Sequence, residues 1–383
     1  MIREQSTENT KILFILEYYH PHKGGVEYLF KNLTHLLAKR GYMVTVLTMR
    51  LKKTKKKEVM DGVNVVRIKT INRYLFSFLS FFKTIFIARD YDIIHTTTFN
   101  AAFPAWIASK FWRKPCVITI HEVWINKWFG LSGLSRLSAS IHNFLEKMIY
   151  LIPFDQYIAV SNSTAGDLKE IRVPGEKIAV IYNGFDNNFF APEHFDGLKV
   201  RKQYGLENAF IYFSWGRPGI SKGHEYLLKA VPLITRKIPD AKLVLMLSDR
   251  NTYKKRYLYL TALIQKLNIR DNVILIEPLS HGDLGNHIKA ADCVVIPSLA
   301  EGFGFSVLEA CAIDKPLVAS DTTSIPEVIY GKYVLVEPGN PEAIAEGICK
   351  VYQGDYQMSP LKIFSWEDNI RKHEELYRKL VII

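Results

Sequence analysis

The feature that most narrows the fold is an alternation that runs through the whole chain. Short runs rich in Ile and Val are separated by longer stretches of helical character. They are "KILFILEYY", "MVTVLTM", "VNVVRI", "DIIHTTT", "CVITIH", "DQYIAVS" and "KIAVIYNG". Strands covered by helices on both faces of a parallel sheet read as continuous apolar runs, and the spacers are long enough for crossover helices. One doubly wound α/β domain is therefore expected over 1–187. A second series, "FIYFSWG", "AKLVLML", "NVILIEP", "DCVVIPS", "PLVASD" and "YVLVEP", predicts another over 206–365. The stretch between, 188–205, carries Asn, Pro and Gly and reads as a linker. Two such Rossmann-like domains in series place the carboxyl ends of two parallel sheets across a cleft, where open α/β sheets bind ligands.

The bulk numbers agree with this division. At 383 residues and 48% hydrophobic content, each half can bury its own core. The formal charge of +12 favours anionic partners: phosphorylated substrates, acidic lipid surfaces or nucleic acid. No recognition module or aromatic–basic face supports nucleic acid. Cys116, Cys293, Cys311 and Cys349 form no C-x-x-C pair, so a zinc ribbon is not expected. Cys116 and Cys293 lie in apolar runs and read as core residues in a reducing compartment. The N-terminus "MIREQSTENT" has no leader-type apolar run, and the expected location is cytoplasmic.

Three stretches carry candidate chemistry. After the first strand comes "HPHKGGVEYLF", where Gly24 and Gly25 open a helix. Read bare, this is either an ordinary strand-to-helix turn or a place where an anion meets exposed backbone and a helix N-terminus. At the start of the second domain, "SWGRPGISKGHEY" places Arg217 and Lys222 on a glycine-rich loop, a fork and a point charge suited to a diphosphate. The third is "EGFGFSVLEA". Glu301 and Glu309 flank two glycines, and the helix start near Gly304 offers N–H groups to a phosphate. Each carboxylate is within reach of a sugar hydroxyl. Solvated loop cations and a helix cap with an incidental Glu are the alternatives.

Taken together, these residues resemble the retaining nucleotide-sugar glycosyltransferases of family 4, which have the two-domain GT-B fold. Glu301 and Glu309 match that family's E-x7-E motif, and "GRPGISKG" matches its G-R-x4-K-G pattern. "GGVE", "ITIHE", "VSNST" and "YNGFD" match in order, and the ending "FSWEDNIRKHEELYRKL" resembles the family's last helix, 366–383, which crosses back to the N-terminal domain. The resemblance implies that Arg217 and Lys222 bind the donor diphosphate, that Glu309 holds the ribose, and that Glu301 with the backbone of Phe303 and Gly304 contacts the donor sugar. It implies that Phe305 and Ser306 lend backbone N–H groups to the phosphates and that Gly24 and Gly25 close over them. It sets His121 beside the reacting carbon and Leu279 against the base. No metal or other cofactor is implied; the donor's own phosphate takes the acceptor proton. Where the family often has Gly before the base-binding loop, this chain has Glu277.

The implied function is transfer of a hexose-type sugar from a nucleotide-diphosphate sugar to a glycan or lipid-linked acceptor, with retention. A nucleotide-sugar epimerase of the same fold and a non-catalytic subunit of a glycosylation complex are the alternatives. "DYD" at 90–92 imitates a D-x-D metal motif but reads as a cap or loop. "RLKKTKKKEV" (50–59) reads as a basic loop. "YLFSFLSFFKTIFIA" (74–88) is apolar but falls short of the ~20 residues needed to span a bilayer. That segment is expected either in the first domain's core or in a membrane interface on the inner face, with the lysines on acidic headgroups. "VWINKWFGLSGL" (123–134) has the aromatic content to shape an acceptor site.

Overall fold

The first strand, β1 (Lys11–Ile15), shows why the runs are continuous. Ile12 and Phe14 join a core cluster with Phe30, Leu33 and Leu37. Leu13 and Ile15 join a second cluster with Phe76, Ala105 and Ile118. Side chains alternate across a strand, so a strand covered on both sides must be apolar at every position. The computed structural model describes residues 10–22 and 24–381, and within it the chain divides into two α/β units. Apart from Thr10, the N-terminal stretch read as lacking a leader lies outside the described residues.

The first unit runs to Ile125, resumes over His142–Gly184 and takes in the C-terminus from Phe364. After β1 come β2 (Met43–Met49), β3 (Lys57–Met60), β4 (Val63–Ile68), β5 (Ile93–Thr97), β6 (Cys116–Ile120), β7 (Gln156–Ala159) and β8 (Ile178–Val180). Their order across the sheet is β3-β4-β2-β1-β5-β6-β7-β8, and every pair is parallel except β3–β4. The helices through this part of the chain are α1 (Gly25–Lys39), α2 (Arg73–Ala88), α3 (Ala102–Trp112), α4 (Trp128–Leu131), α5 (Arg136–Tyr150) and α6 (Asn162–Glu170). The C-terminal helix Trp366–Val381 shares a core with α1, through Phe30, Ile370 and Tyr377. The other face of the sheet is covered by α2, α3, α5 and α6, through Phe76, Ala105, Ile149 and Leu168.

Two stretches differ from their reading in sequence. Lys57–Met60, taken as the end of a basic loop, is an edge strand paired antiparallel with β4. Asp61 and Gly62 between them have φ of 51° and 83°, the left-handed pair that a two-residue hairpin requires. The apolar stretch 74–88 is neither wholly buried nor wholly exposed. Phe76, Ser80, Thr84 and Ala88 face the core, and Tyr74, Phe78, Phe82 and Phe86 face out. No described helix is long and apolar enough to cross a membrane.

The second unit comprises residues 126–141 and 185–363. Its sheet contains β9 (Phe210–Gly216), β10 (Ala241–Leu247), β11 (Val273–Ile276), β12 (Cys293–Ile296), β13 (Leu317–Ser320), β14 (Gly331–Val336) and β15 (Gln357–Ser359). The order is β11-β10-β9-β12-β13-β14-β15, parallel except for β14–β15. Around it lie α7 (Gly197–Tyr204), α8 (His224–Lys237), α9 (Lys254–Lys266), α10 (His281–Ala290), α11 (Phe305–Ala312), α12 (Ile325–Val328) and α13 (Pro341–Tyr352). Local chemistry sets several starts. Ser280 accepts the Asp283 amide to cap α10, and Asn340 caps α13 ahead of Pro341.

Candidate active site

In the second unit, the loop leaving β9 and the loop leaving β12 lock together through backbone. Leu299 N–H donates to Ser221 O at 2.7 Å. Gly223 has φ 66°, and a Cβ there would stand 1.7 Å from Pro297 O, so the approach is open only to glycine. This contact carries Lys222 to the carboxylate of the opening motif. Lys222 Nζ lies 2.5 Å from Glu301 Oε1, and Ser298 Oγ donates to the same oxygen at 2.8 Å. The Glu301 backbone is held as well: its N–H donates to Thr323 Oγ1 and its carbonyl accepts from Ser324 Oγ, both at 2.9 Å. Arg217, on the same loop as Lys222, is exposed and makes no hydrogen bond or ion pair among the described residues.

The chain then turns at Gly304, with φ 96° and ψ 50°, into α11. Phe303 is buried, and its ring meets Phe305 edge-on at 5.2 Å. Phe305 and Ser306 form the first turn of α11, where helix amides have no acceptor within the helix. Glu309 lies one turn further on and accepts from Trp215 Nε1 at 3.1 Å. Burial pushes its carboxyl up to about 7, against the opposing pull of the Trp215 N–H and the Lys222 charge. His224, at the start of α8, is buried and held neutral, its pKa lowered to about 3 by desolvation and then by Lys222 and Arg256. The cationic character of the loop therefore comes from Arg217 and Lys222. Leu279 follows β11, and its amide points at Met246 Sδ at 3.4 Å. Glu277, which stands where the resemblance expects Gly, is paired with Arg250 at 2.6 Å. Within this unit the aromatic stretch around α4 reaches the loop after β9: a Cβ at Gly133 would lie 3.5 Å from Ile220 Cδ1.

The first unit holds the remaining candidates. Gly24 precedes α1 in extended backbone, and the space where its side chain would stand is occupied by Glu27. A Cβ at Gly24 would lie 2.2 Å from Glu27 Oε2. Glu27 is itself 2.9 Å from His22 Nδ1. A carboxylate thus stands at the positive end of the helix that begins with Gly25, as an anion is expected to. His121 follows the end of β6. Its ring meets Phe30 of α1 edge-on at 5.8 Å, and its Nε2 has no partner among the described residues. Burial lowers its pKa to about 4, so the imidazole is neutral near pH 7. At the end of β1, Glu17 is clamped by Arg73 at 3.1 Å and by Asn100 at 2.7 Å. Asp92 of the "DYD" stretch accepts the Lys11 amide at 2.8 Å, the backbone role expected of a loop aspartate.

Two family descriptions cover the chain. "Glycosyl transferases group 1" matches residues 198–362, and "Glycosyltransferase Family 4" matches 23–189. An uncharacterized glycosyltransferase of Methanocaldococcus jannaschii is 31% identical over 363 residues, covering 89% of this chain and 88% of that one. This chain belongs to the glycosyltransferases. A UDP-Gal:alpha-D-GlcNAc-diphosphoundecaprenol alpha-1,3-galactosyltransferase of Escherichia coli is 29% identical over 244 residues, 60% of this chain and 58% of that one. The fold matches that of Anabaena HepE, crystallised with UDP and glucose, at a TM-score of 0.72 over 97% of this chain and 100% of that one, with 21% identity.

In this glycosyltransferase the second unit brings Lys222 and Glu301 together on two interlocked loops, with Glu309 on the α11 helix that follows. The supporting residues were not found by motif. Ser298, Thr323 and Ser324 hold Glu301 from two different loops, and Trp215 holds Glu309 from β9. Trp215 stands directly before the G-R-x4-K-G stretch, which is the one signal that pointed to it. What gathers here is a cation, two carboxylates and a helix N-terminus, a set able to hold anionic oxygens and hydroxyls side by side.

Proposed function

We propose that this glycosyltransferase moves a hexose from a nucleoside-diphosphate sugar to a lipid-linked or glycan acceptor, with retention and without a metal ion. The observation that carries the proposal is the Lys222–Glu301 pair set beside the α11 start and the buried Glu309. The printed activity of the Escherichia coli relative supports the nucleotide sugar and the lipid-linked acceptor, and HepE supports uridine diphosphate as the first nucleotide to try. In this reading Arg217 and Lys222 hold the diphosphate, and Glu309 accepts from ribose hydroxyls. Glu301 and the backbone at Phe303 and Gly304 meet the sugar. Phe305 and Ser306 amides bind the phosphates, and Leu279 meets the base. His121, neutral, positions the sugar. As the glycosidic C–O bond breaks, negative charge grows on the departing phosphate, where cations and amides stabilise it. That phosphate oxygen takes the acceptor hydroxyl proton on the same face, so no residue behind the sugar is needed as base.

The test is the anomeric proton coupling of the product by NMR, with and without EDTA. The expected product keeps the donor's configuration, and the rate is unchanged by the chelator. An inverted product refutes retention. Loss of activity on chelation refutes the metal-free reading.

A further inference from the structure

The helix α5 is built inside out. Its inward side sets Asn143 and Glu146 beside Ala139 and Ile149, all buried, and Glu146 accepts the Trp124 amide at 2.8 Å. Its outward side carries Phe144, Leu145 and Met148, with Leu151 following, all exposed. A helix that faces water ordinarily has the reverse polarity. Its neighbour α2 repeats the pattern. Small Ser80, Thr84 and Ala88 face the alanines of α3, while Tyr74, Phe78, Phe82 and Phe86 face out, Phe86 at 77% exposure. Phe103 and Phe111 of α3 add to the same surface. These helices cover one face of one sheet, and Tyr74 Oη lies 3.4 Å from His142 Nε2, joining α2 to α5.

The exposed charges of α2, α3 and α5 have one sign, whereas α6 on the same face carries Asp167 and the exposed Glu170. Neither α2 nor α3 contains Asp or Glu, and the sole carboxylate of α5 is the buried Glu146. Lys83, Arg113 and Lys147 are exposed and form no ion pair among the described residues. Lys110 shares Asp155 at 3.4 Å, and the first acidic residue past α2 is Asp90. Arg50, where the basic loop leaves β2, donates its backbone N–H to Ile68 O at the end of β4 at 2.8 Å.

We infer that the outward face of α2, α3 and α5 docks on an anionic lipid bilayer, with its aromatic and aliphatic side chains in the headgroup–acyl boundary and its cations on lipid phosphates. An apolar stripe interleaved with unpaired Lys and Arg is what an interfacial, non-spanning surface requires. A second copy of the chain is the poorer occupant, because a two-fold contact sets the same patch against itself and like charges would meet. The inference deepens the lipid-linked acceptor proposed above, on which it rests for its purpose, by naming the surface that brings the enzyme to such an acceptor.

The experiment floats the full chain with vesicles of equal parts phosphatidylglycerol and phosphatidylcholine, and with phosphatidylcholine alone. The wild type is expected to float with the anionic vesicles and to be released by salt. Phe78→Ser with Phe82→Ser, Leu145→Gln with Met148→Gln, and Lys83→Glu with Lys147→Glu are each expected to weaken binding by about tenfold or more. All six positions are exposed, and circular dichroism checks the fold. A wild type that stays with neither vesicle overturns the inference, as do variants that float like the wild type. A concentration-dependent dimer abolished by the same substitutions assigns the face to a second copy and also overturns it. Calorimetry with UDP, GDP and ADP on the same samples separates the two claims. Vesicle binding without any nucleotide binding leaves the docking face standing and refutes the donor reading.

Discussion

At the residue scale, Glu309 ties the candidate site to stability. Its folded pKa, about 7, lies above the ordinary carboxylate value of 4.5 because burial disfavours the charged form. The folded chain therefore holds a proton that the unfolded chain gives up, and stability falls as pH rises from about 4.5 to about 7. Glu309→Gln removes that dependence. Relative to wild type, it should gain on the order of 1–3 kcal/mol between about pH 5 and pH 8, read by urea denaturation at the two pH values. An unchanged pH slope would show that Glu309 is not the group responsible. Lys222 gives a second prediction. Read from sequence alone it is a loop cation with little packing role; in the fold it is three-quarters covered and neutralises Glu301. Lys222→Ala should lower nucleoside-diphosphate affinity about tenfold or more and also cost about 1–3 kcal/mol of stability, since it strips a half-buried carboxylate of its partner. Calorimetry and denaturation read the two effects, and full stability with full affinity would sink both.

At the scale of elements, one buried contact ties the last helix to the middle of the first sheet. Tyr377 Oη lies 2.6 Å from His95 Nδ1 on β5, and His95 Nε2 lies 2.8 Å from Thr119 Oγ1 on β6. Burial and the neighbouring His373 and His121 hold His95 well below the usual imidazole range, so it is neutral and needs its partners. Tyr377→Phe leaves one imidazole nitrogen without a partner in a dry core and should cost about 1–3 kcal/mol. Thermal melting of the variant checks this, and an unchanged Tm would mean that water replaces the hydroxyl. Other element-level features were readable in advance. The Asp61–Gly62 pair flanked by "KEVM" and "VNVVRI" is a two-residue hairpin signal, obscured by the lysines before it. The inverted polarity of α5 was not readable, because periodicity places an apolar stripe on a helix without saying which stripe faces inward.

At the scale of the whole molecule, the first unit is assembled from pieces far apart in the chain. Asn369 Nδ2 donates to Tyr182 O at 2.6 Å, and a Cβ at Gly184 would lie 2.2 Å from Trp366 Cδ2. A fragment ending at Gly184 lacks Ile370 and Tyr377 and exposes the cluster around Phe14 and Phe30. Each lost anchor is worth about 1.5–3 kcal/mol of burial. Such a fragment should be poorly folded, and fusing residues 364–383 to it through a short linker should restore a cooperative melt. A fragment that melts cooperatively by itself would show the C-terminal helix to be dispensable.

Sequence by itself pointed to the two sheets, because short Ile- and Val-rich runs separated by helical spacers fit strands covered on both faces. It also singled out Lys222, Glu301 and Glu309 as candidates, because cations, carboxylates and glycines at a strand-to-helix turn suit a bound anion and its hydroxyls. Only the tertiary structure decided their states. Glu309 holds its proton toward neutral pH because burial in the unit outweighs the opposing pull of the Trp215 N–H and the Lys222 charge, and the Glu301 backbone is held by Thr323 and Ser324, more than twenty residues away in the chain. A local pattern sets which groups a chain owns. The solvent and the partners that each group meets are set by contacts between segments that the pattern does not connect.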